Sequence, residues 1–300
     1  MNKDKKILLY MLIPGVLGFF IFYLIPFLMS IPSIFLDSTN SYDFVGLKNI
    51  RDILSNIPFL RALKNTFYFL IISMPLIIII PLILAMILYD IDKKSRNIYL
   101  VLFLIPMAIP SGSLIFFFKQ FFSLNGFFNN FLSIFDITKI DWFNSSYSLV
   151  AIIIIYLWKN IGYNIVLFMG GLFMIPKEYK EYAYLEGASK FDEFRYITII
   201  YLIPTLLLVF LMSVINSFKI FREIYLIFGS YPSQNTYMIQ HFLNNTFTSL
   251  NYEKLVSASN LVTILIGSFV FMFFYFENKL LEKIYDFRRG KNVFIKKNKN

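Results

Sequence analysis

The sequence predicts an all-α polytopic membrane protein with six transmembrane helices. Three observations predict it. First, 58% of the residues are hydrophobic and only 15% charged, with 37 Phe and 20 Tyr, a balance that water-soluble domains do not carry. Second, Ile7–Leu36, Phe67–Tyr89, Ile98–Phe118, Tyr196–Phe218 and Leu255–Phe276 contain no charged side chain, and Ser145–Ile175 contains only Lys159. At 1.5 Å rise per residue each is long enough to cross a hydrocarbon core of about 30 Å. Third, Lys and Arg are distributed unevenly between alternate connections. With the N-terminus inside, the inner segments hold 18 (before Ile7, in Asp90–Asn97, in Lys177–Arg195 and after Phe276), and the outer ones hold 7. That bias predicts both termini on the cytoplasmic side.

With their flanks the spans are 7–36, 67–89, 98–118, 146–175, 196–228 and 255–276, within one transmembrane domain over 1–300. A polar loop occupies 176–196 and a basic tail 277–300. The first stretch is too long for a removed signal peptide, lacks a small-residue cleavage pattern, and is therefore read as a retained span. Asp37–Thr66 contains FVGLKNIRDIL, an amphipathic run expected to lie along the outer surface. Pro75, Pro81, Pro106, Pro110 and Pro204 read as local bends, and Pro106 with Pro110, Ser111 and Gly112 as a place where a helix turn opens toward a pathway. The outer segments Lys119–Asn144 and Gly229–Lys254 are rich in Asn, Ser, Gly and aromatic residues.

The same composition excludes several kinds of function. Cys is absent and His241 is the only histidine, so disulfides, thiol catalysis and zinc sites of the usual ligand types are not expected. His241 reads as an incidental residue of an outer loop. None of the twelve glycines falls in a G-x-x-x-x-G-K-[ST] phosphate cradle, so any nucleotide site belongs to a partner. No catalytic residue, cofactor or metal is expected. The net charge of +10 sits largely in inner segments and in the tail Arg288–Lys299, which reads as an anchor at anionic lipid and not as a nucleic-acid surface.

The loop between spans 4 and 5 is the most informative segment. Nine of the residues in Lys177–Tyr196 are charged, yet apolar spans flank it on both sides. Pro176 is suited to open a helix, since its missing N–H is not needed in a first turn. Gly187 is suited to close it by entering the left-handed region. Ser189 and Asp192 form an S-x-x-D capping pattern for a second helix. Tyr182, Tyr184 and Leu185 place aromatic and aliphatic groups on a short charged helix, while Ala183 and Gly187 leave a low ridge for close approach. The ordinary reading is a solvated connector held by pairs such as Lys177–Glu181.

These residues resemble the cytoplasmic loop of permease subunits from bacterial binding-protein-dependent ABC importers. The family pattern is Glu-Ala-Ala, three residues, Gly, nine residues, then Ile-x-Leu-Pro. Glu181, Tyr182, Ala183, Gly187, Ile197 and Ile199 stand at that spacing, with Tyr182 in place of Ala and Ile200 in place of Pro. FVGLKNI (44–50), ALKNTFYF (62–69), RNIYLVLFLIP (96–106), YLWKNIGYN (156–164), GLFMIPKE (171–178) and SFKIF (217–221) extend the likeness to sugar-importer permeases along nearly the whole chain.

The resemblance implies a type I importer permease fold, pairing with a second, different permease, and docking of the loop (Glu181, Tyr182, Ala183, Leu185, Gly187, Ile197) on one of two ABC ATPase subunits. It also implies delivery of substrate by an extracellular solute-binding protein and alternating access driven by ATP. Spans 4 and 5 are then expected to line the pathway with Tyr156, Trp158, Asn160, Tyr163, Asn164, Asn216, Ser217 and Lys219, since aromatic faces and amide or hydroxyl groups suit a sugar. For each residue the alternative is subunit packing, with Lys219 and Arg222 reaching the surface or pairing with Glu223. Competing functions are an ion-coupled secondary transporter, disfavoured because five span cores lack Asp and Glu, and an ABC permease for a non-sugar solute such as a glycerol-phosphate-type ester.

Overall fold

A computed structural model of the chain describes residues 3–37 and 43–297. Residues 38–42 of the outer segment and 298–300 of the basic tail lie outside the described residues. In order, the chain forms α1 (Lys3–Phe19), a π-turn (Phe20–Leu24), α2 (Ile25–Ser30), a 3-10 turn (Pro32–Phe35) and the strands β1 (Leu36–Asp37) and β2 (Asp43–Phe44). Then follow α3 (Lys48–Leu54), α4 (Ile57–Asp90), α5 (Lys93–Ala108), α6 (Ser111–Phe121), α7 (Phe127–Ser133) and α8 (Ser148–Phe173). The chain continues through α9 (Lys177–Leu185), α10 (Lys190–Glu193), a second π-turn (Phe194–Thr198), α11 (Ile199–Lys219), α12 (Phe221–Phe228), α13 (Ile239–Thr248) and α14 (Tyr252–Lys297). Five helical segments are long and apolar enough to cross a membrane: Tyr10–Phe35, Ile57–Asp90, Ser148–Phe173, Lys190–Phe228 and Tyr252–Glu277. A sixth crossing is made by α5 and α6 taken together, bent by 97° at their junction.

The chain divides into two compact units, one of Met1–Ala62 with Phe242–Ser268 and the other of Leu63–His241 with Phe269–Asn300. In the first unit, β1 and β2 pair antiparallel, Leu36 opposite Phe44. The Asn49 side chain donates to the carbonyls of Ile34 and Leu36, both at 3.0 Å, and so ties α3 to the end of span 1. Helix α3 buries Ile53 and exposes Arg51 and Asp52, the amphipathic arrangement its sequence predicts. Asn260 of α14 donates to Ser30 Oγ at 3.0 Å, and the rings of Phe59 and Phe242 meet edge to face. Most of span 1 remains exposed within the chain, as Phe22 at 75% shows. Such a surface is stable only against lipid or another subunit.

The second unit is built around α8, whose residues are buried on most of its faces. Leu82, Ala85 and Leu88 of α4, Ile165, Phe168, Met169 and Leu172 of α8, and Leu202 and Val209 of α11 form one core cluster. Two glycines make the contacts close. A Cβ on Gly162 would run into the Phe103 carbonyl of α5, and one on Gly171 into the Thr205 side chain of α11. Small residues of this kind let membrane helices approach backbone to backbone. In the segment after α6, Asn129 is fully buried and uses its whole amide. It donates to the Ser123 and Ile140 carbonyls at 2.9 Å and accepts from Ile140 N–H and Trp142 Nε1–H. Phe118, Phe122 and Trp142 pack as a cluster around that anchor.

Several boundaries differ from the sequence reading. The second span begins at Ile57, not Phe67, because Asn56 accepts from Phe59 N–H and caps the helix early. The third span is an elbow: Ile109 and Pro110 are extended, and Pro110 cannot continue the α5 ladder. The fifth runs as one segment from Lys190 to Phe228, with a single turn residue at Ile220 between α11 and α12. Beyond Phe276 the last helix continues to Lys297 through the basic tail. His241 lies in α13, fully buried beside the rings of Phe221 and Tyr237, and not in an exposed loop.

Candidate functional site

The loop between α8 and α11 folds as its local sequence dictates. Pro176 caps α9 from an extended conformation and the helix starts at Lys177. Gly187 takes φ of 74°. Ala188 N–H then donates to Ala183 O at 3.0 Å and Gly187 N–H to Tyr184 O at 3.1 Å, the paired bonds that close a helix on a left-handed residue. Ser189 Oγ accepts from Asp192 N–H at 3.2 Å while the Asp192 carboxylate accepts from Ser189 N–H at 3.1 Å, forming the capping box.

One side of this pair of helices is fastened down. Lys180 forms an ion pair with Glu193 at 3.3 Å and lies over the Tyr89 ring, 4.3 Å from its centroid. Tyr179 packs on Tyr201, and Ile197, in the π-turn, packs against the core cluster. The other side is open: Tyr184 is 82% exposed, Leu185 79%, Tyr182 67% and Phe191 66%. Lys180, Glu181, Tyr184 and Leu185 line a shallow concavity there. Four large apolar side chains on a rigid, charged element form a surface that a protein partner would desolvate. The Lys177–Glu181 pair is not among the ion pairs of the described residues, and Lys180–Glu193 takes its place.

The polar residues of spans 4 and 5 fall into two sets. Tyr156 is buried, and its hydroxyl donates to the Ser213 carbonyl at 3.0 Å. Asn164 is buried and donates to the Ile77 carbonyl and Ser213 Oγ, both at 3.0 Å, so it joins α4, α8 and α11. Ser217 is also buried, its hydroxyl donating to the Val214 carbonyl one turn back. Asn160 likewise turns inward on its own helix, donating to Tyr156 O at 2.8 Å. Open sites are Trp158, 38% exposed and stacked near Phe117, and Lys219, which donates to Asn216 Oδ1 at 3.2 Å. Tyr163 and Asn216 are half-buried.

Sequence reasoning missed one grouping. Glu223, the one buried carboxylate among the described residues, pairs with Lys159 of α8 and not with Lys219 or Arg222. The Ser111 hydroxyl donates to the same Glu223 oxygen at 2.9 Å, and the Lys159 ammonium also donates to Ser111 Oγ at 3.3 Å. A solitary Lys in an apolar span was the available signal, because a buried cation demands a counter-charge. Its partner is 64 positions away in sequence, beyond the reach of local pattern.

Six candidate crossings, one of them bent by 97°, and a capped, partly apolar helix pair between the fourth and fifth define a polytopic membrane protein of the transport-permease class. The family model for binding-protein-dependent transport system inner membrane components matches residues 77–282, so the chain belongs to that family. It is 30% identical over 232 residues to the trehalose/maltose transport system permease protein MalF of Thermococcus litoralis, covering 77% of this chain and 78% of that one. It is 28% identical over 270 residues to the arabinooligosaccharides transport system permease protein AraP of Bacillus subtilis, covering 86% and 84%. Among solved structures, a bacterial ABC transporter that imports the acidic polysaccharide alginate superposes with a TM-score of 0.75 at 19% identity, over 94% of this chain and 97% of that one.

Proposed function

We propose that the chain is one permease subunit of an ATP-driven importer for a sugar or oligosaccharide, residing in the bacterial plasma membrane with both termini in the cytoplasm. It pairs with a second, different permease and with two ABC ATPase subunits, and it receives substrate from an extracellular solute-binding protein. The observation that carries this reading is the α9–α10 element. It is held to the spans by Lys180, Tyr179 and Ile197 while Tyr182, Tyr184, Leu185 and Phe191 stand free of the chain. A docking element needs both properties, a rigid seat that transmits displacement and an apolar face that gains by burial.

Nucleotide hydrolysis belongs to the partners, since the sequence has no phosphate cradle of its own. Support for a sugar cargo comes from the transported substrates named for the two similar permeases and from the aromatic and amide groups of spans 4 and 5, of which Trp158 and Asn216 retain exposed surface. The excess of Lys and Arg in the segments before Ile7, in Asp90–Asn97, in the loop and after Phe276 supports the orientation. Co-purification in mild detergent tests the assembly. A second permease and two ATPase copies should be recovered, with ATPase activity stimulated by the binding protein. A chain that purifies alone and drives uptake from an ion gradient contradicts the reading.

A further inference from the structure

The docking surface accounts for the loop but leaves the buried Glu223 and its half-buried partner Lys159 unused. Three interruptions or midpoints meet there. Ser111 is the first residue of α6, immediately beyond the 97° elbow of the third crossing. Glu223 stands in the first turn of α12, just past the turn residue Ile220. Lys159 lies in the middle of α8, which runs unbroken from Ser148 to Phe173 and ends at the loop. One carboxylate oxygen receives both the Lys159 ammonium and the Ser111 hydroxyl. Side-chain exposure is 3% for Glu223 and 21% for Lys159.

We propose that Lys159, Glu223 and Ser111 form a mechanical tie that makes α6, α8 and α12 move as one body, so that displacement of the loop reaches the outgoing arm of the bent third crossing and the end of the fifth. This inference rests on the importer reading above. Helix α6 does not continue directly from α5, since Pro110 breaks the ladder before it, whereas α12 follows α11 across the single turn residue Ile220. Apolar packing, supplied here by Ile115 and Ile227 among others, is non-directional and sets no register between sliding helices. A carboxylate shared between an ammonium and a hydroxyl does set one. Pulling the charges apart in a low-dielectric interior leaves both uncompensated, so the tie holds while the elements around it shift. Lys159 and Glu223 are thus positioning residues of the transport cycle.

The competing account is that the two charges merely neutralise each other, in which case apolar replacements of similar volume would serve equally well. The chain has no cysteine of its own, so spin labels on it sit only at introduced positions, and cysteines of the partner subunits are replaced first. In the full complex, labels go at Val166→Cys with Leu226→Cys, and at Val166→Cys with Phe116→Cys, all exposed positions. The probes are ATP and vanadate. The tie predicts narrow label-to-label distances that do not change between the nucleotide-free and vanadate-trapped states, broadening of both pairs by several ångström in Lys159→Met/Glu223→Leu, and broadening of the Val166–Phe116 pair alone in Ser111→Ala. Distances that shift with nucleotide in the unmodified chain overturn it, as do distributions in the variants as narrow as in that chain. If the double variant does not assemble, Ser111→Ala alone decides, since it leaves both charges paired and removes only the link to α6. A separate label at Tyr184→Cys reports engagement of the ATPases. Silence there counts against the importer reading while the distances still judge the tie.

Discussion

At the scale of single residues, the second unit depends on a few positions with no room to change. Gly162 lies against the Phe103 carbonyl, so Gly162→Ala must push α5 away from α8. Overpacking of this kind costs about 1–3 kcal/mol, and the thermal midpoint of the detergent-solubilised complex should fall accordingly. An unchanged midpoint would mean that the helices are not in backbone contact. His241 makes a different prediction. Burial pushes its imidazole down from the ordinary 6.5 to about 4. Between those values the unfolded chain binds the proton and the folded chain does not, so stability rises with pH across that window and is lost as pH falls toward 4. Midpoints measured from pH 7 to pH 4 should decline less steeply in His241→Gln than in the unmodified chain. Tyr156 and Trp158 separate packing from transport. Tyr156→Phe loses one internal hydrogen bond, worth about 1 kcal/mol, and should leave uptake near normal, whereas Trp158→Ala should lower uptake with little change in midpoint.

At the scale of elements, legibility followed the range of the interactions. The α9–α10 pair could be read because everything that shapes it is local: Pro176 opens it, Gly187 supplies a left-handed turn, and Ser189 and Asp192 cap each other three residues apart. The elbow at Pro110 could be read as a bend but not as a 97° turn, because its angle is set by where α6 packs beyond it. The partner of Lys159 was out of reach for the same reason, since local charge pattern offered Glu223 the nearer Lys219 and Arg222. His241 was misplaced because a lone polar residue in an Asn-rich segment gives no sign that Phe221 will close over it. The continuation of α14 through the basic tail was hidden by its charges, which end an apolar segment without ending a helix. The element-scale prediction concerns the loop. Gly187→Pro removes the N–H that closes α9 on Tyr184 O. Binding-protein-stimulated ATPase activity should fall on the order of tenfold or more while membrane insertion is retained. Equal stimulation in both proteins would remove the loop from the coupling path.

At the scale of the whole molecule, the chain combines features that make sense only in an assembly. Span 1 exposes residues such as Phe22 and Tyr23 along its length, and the loop exposes four large apolar groups beyond the spans. Both are surfaces waiting for cover, the first from lipid or a neighbouring subunit and the second, on the function proposed above, from an ATPase. Membership of the binding-protein-dependent family, with residues 77–282 matched, accounts for the two together. The measurement that tests this account most directly is uptake in proteoliposomes containing the chain with its co-purified permease and ATPases, supplied with the solute-binding protein and labelled oligosaccharide. The account predicts accumulation that requires ATP inside the vesicle face bearing the ATPases, requires the binding protein, and is abolished by Gly187→Pro. Accumulation that proceeds without ATP and follows an imposed proton or sodium gradient would contradict it.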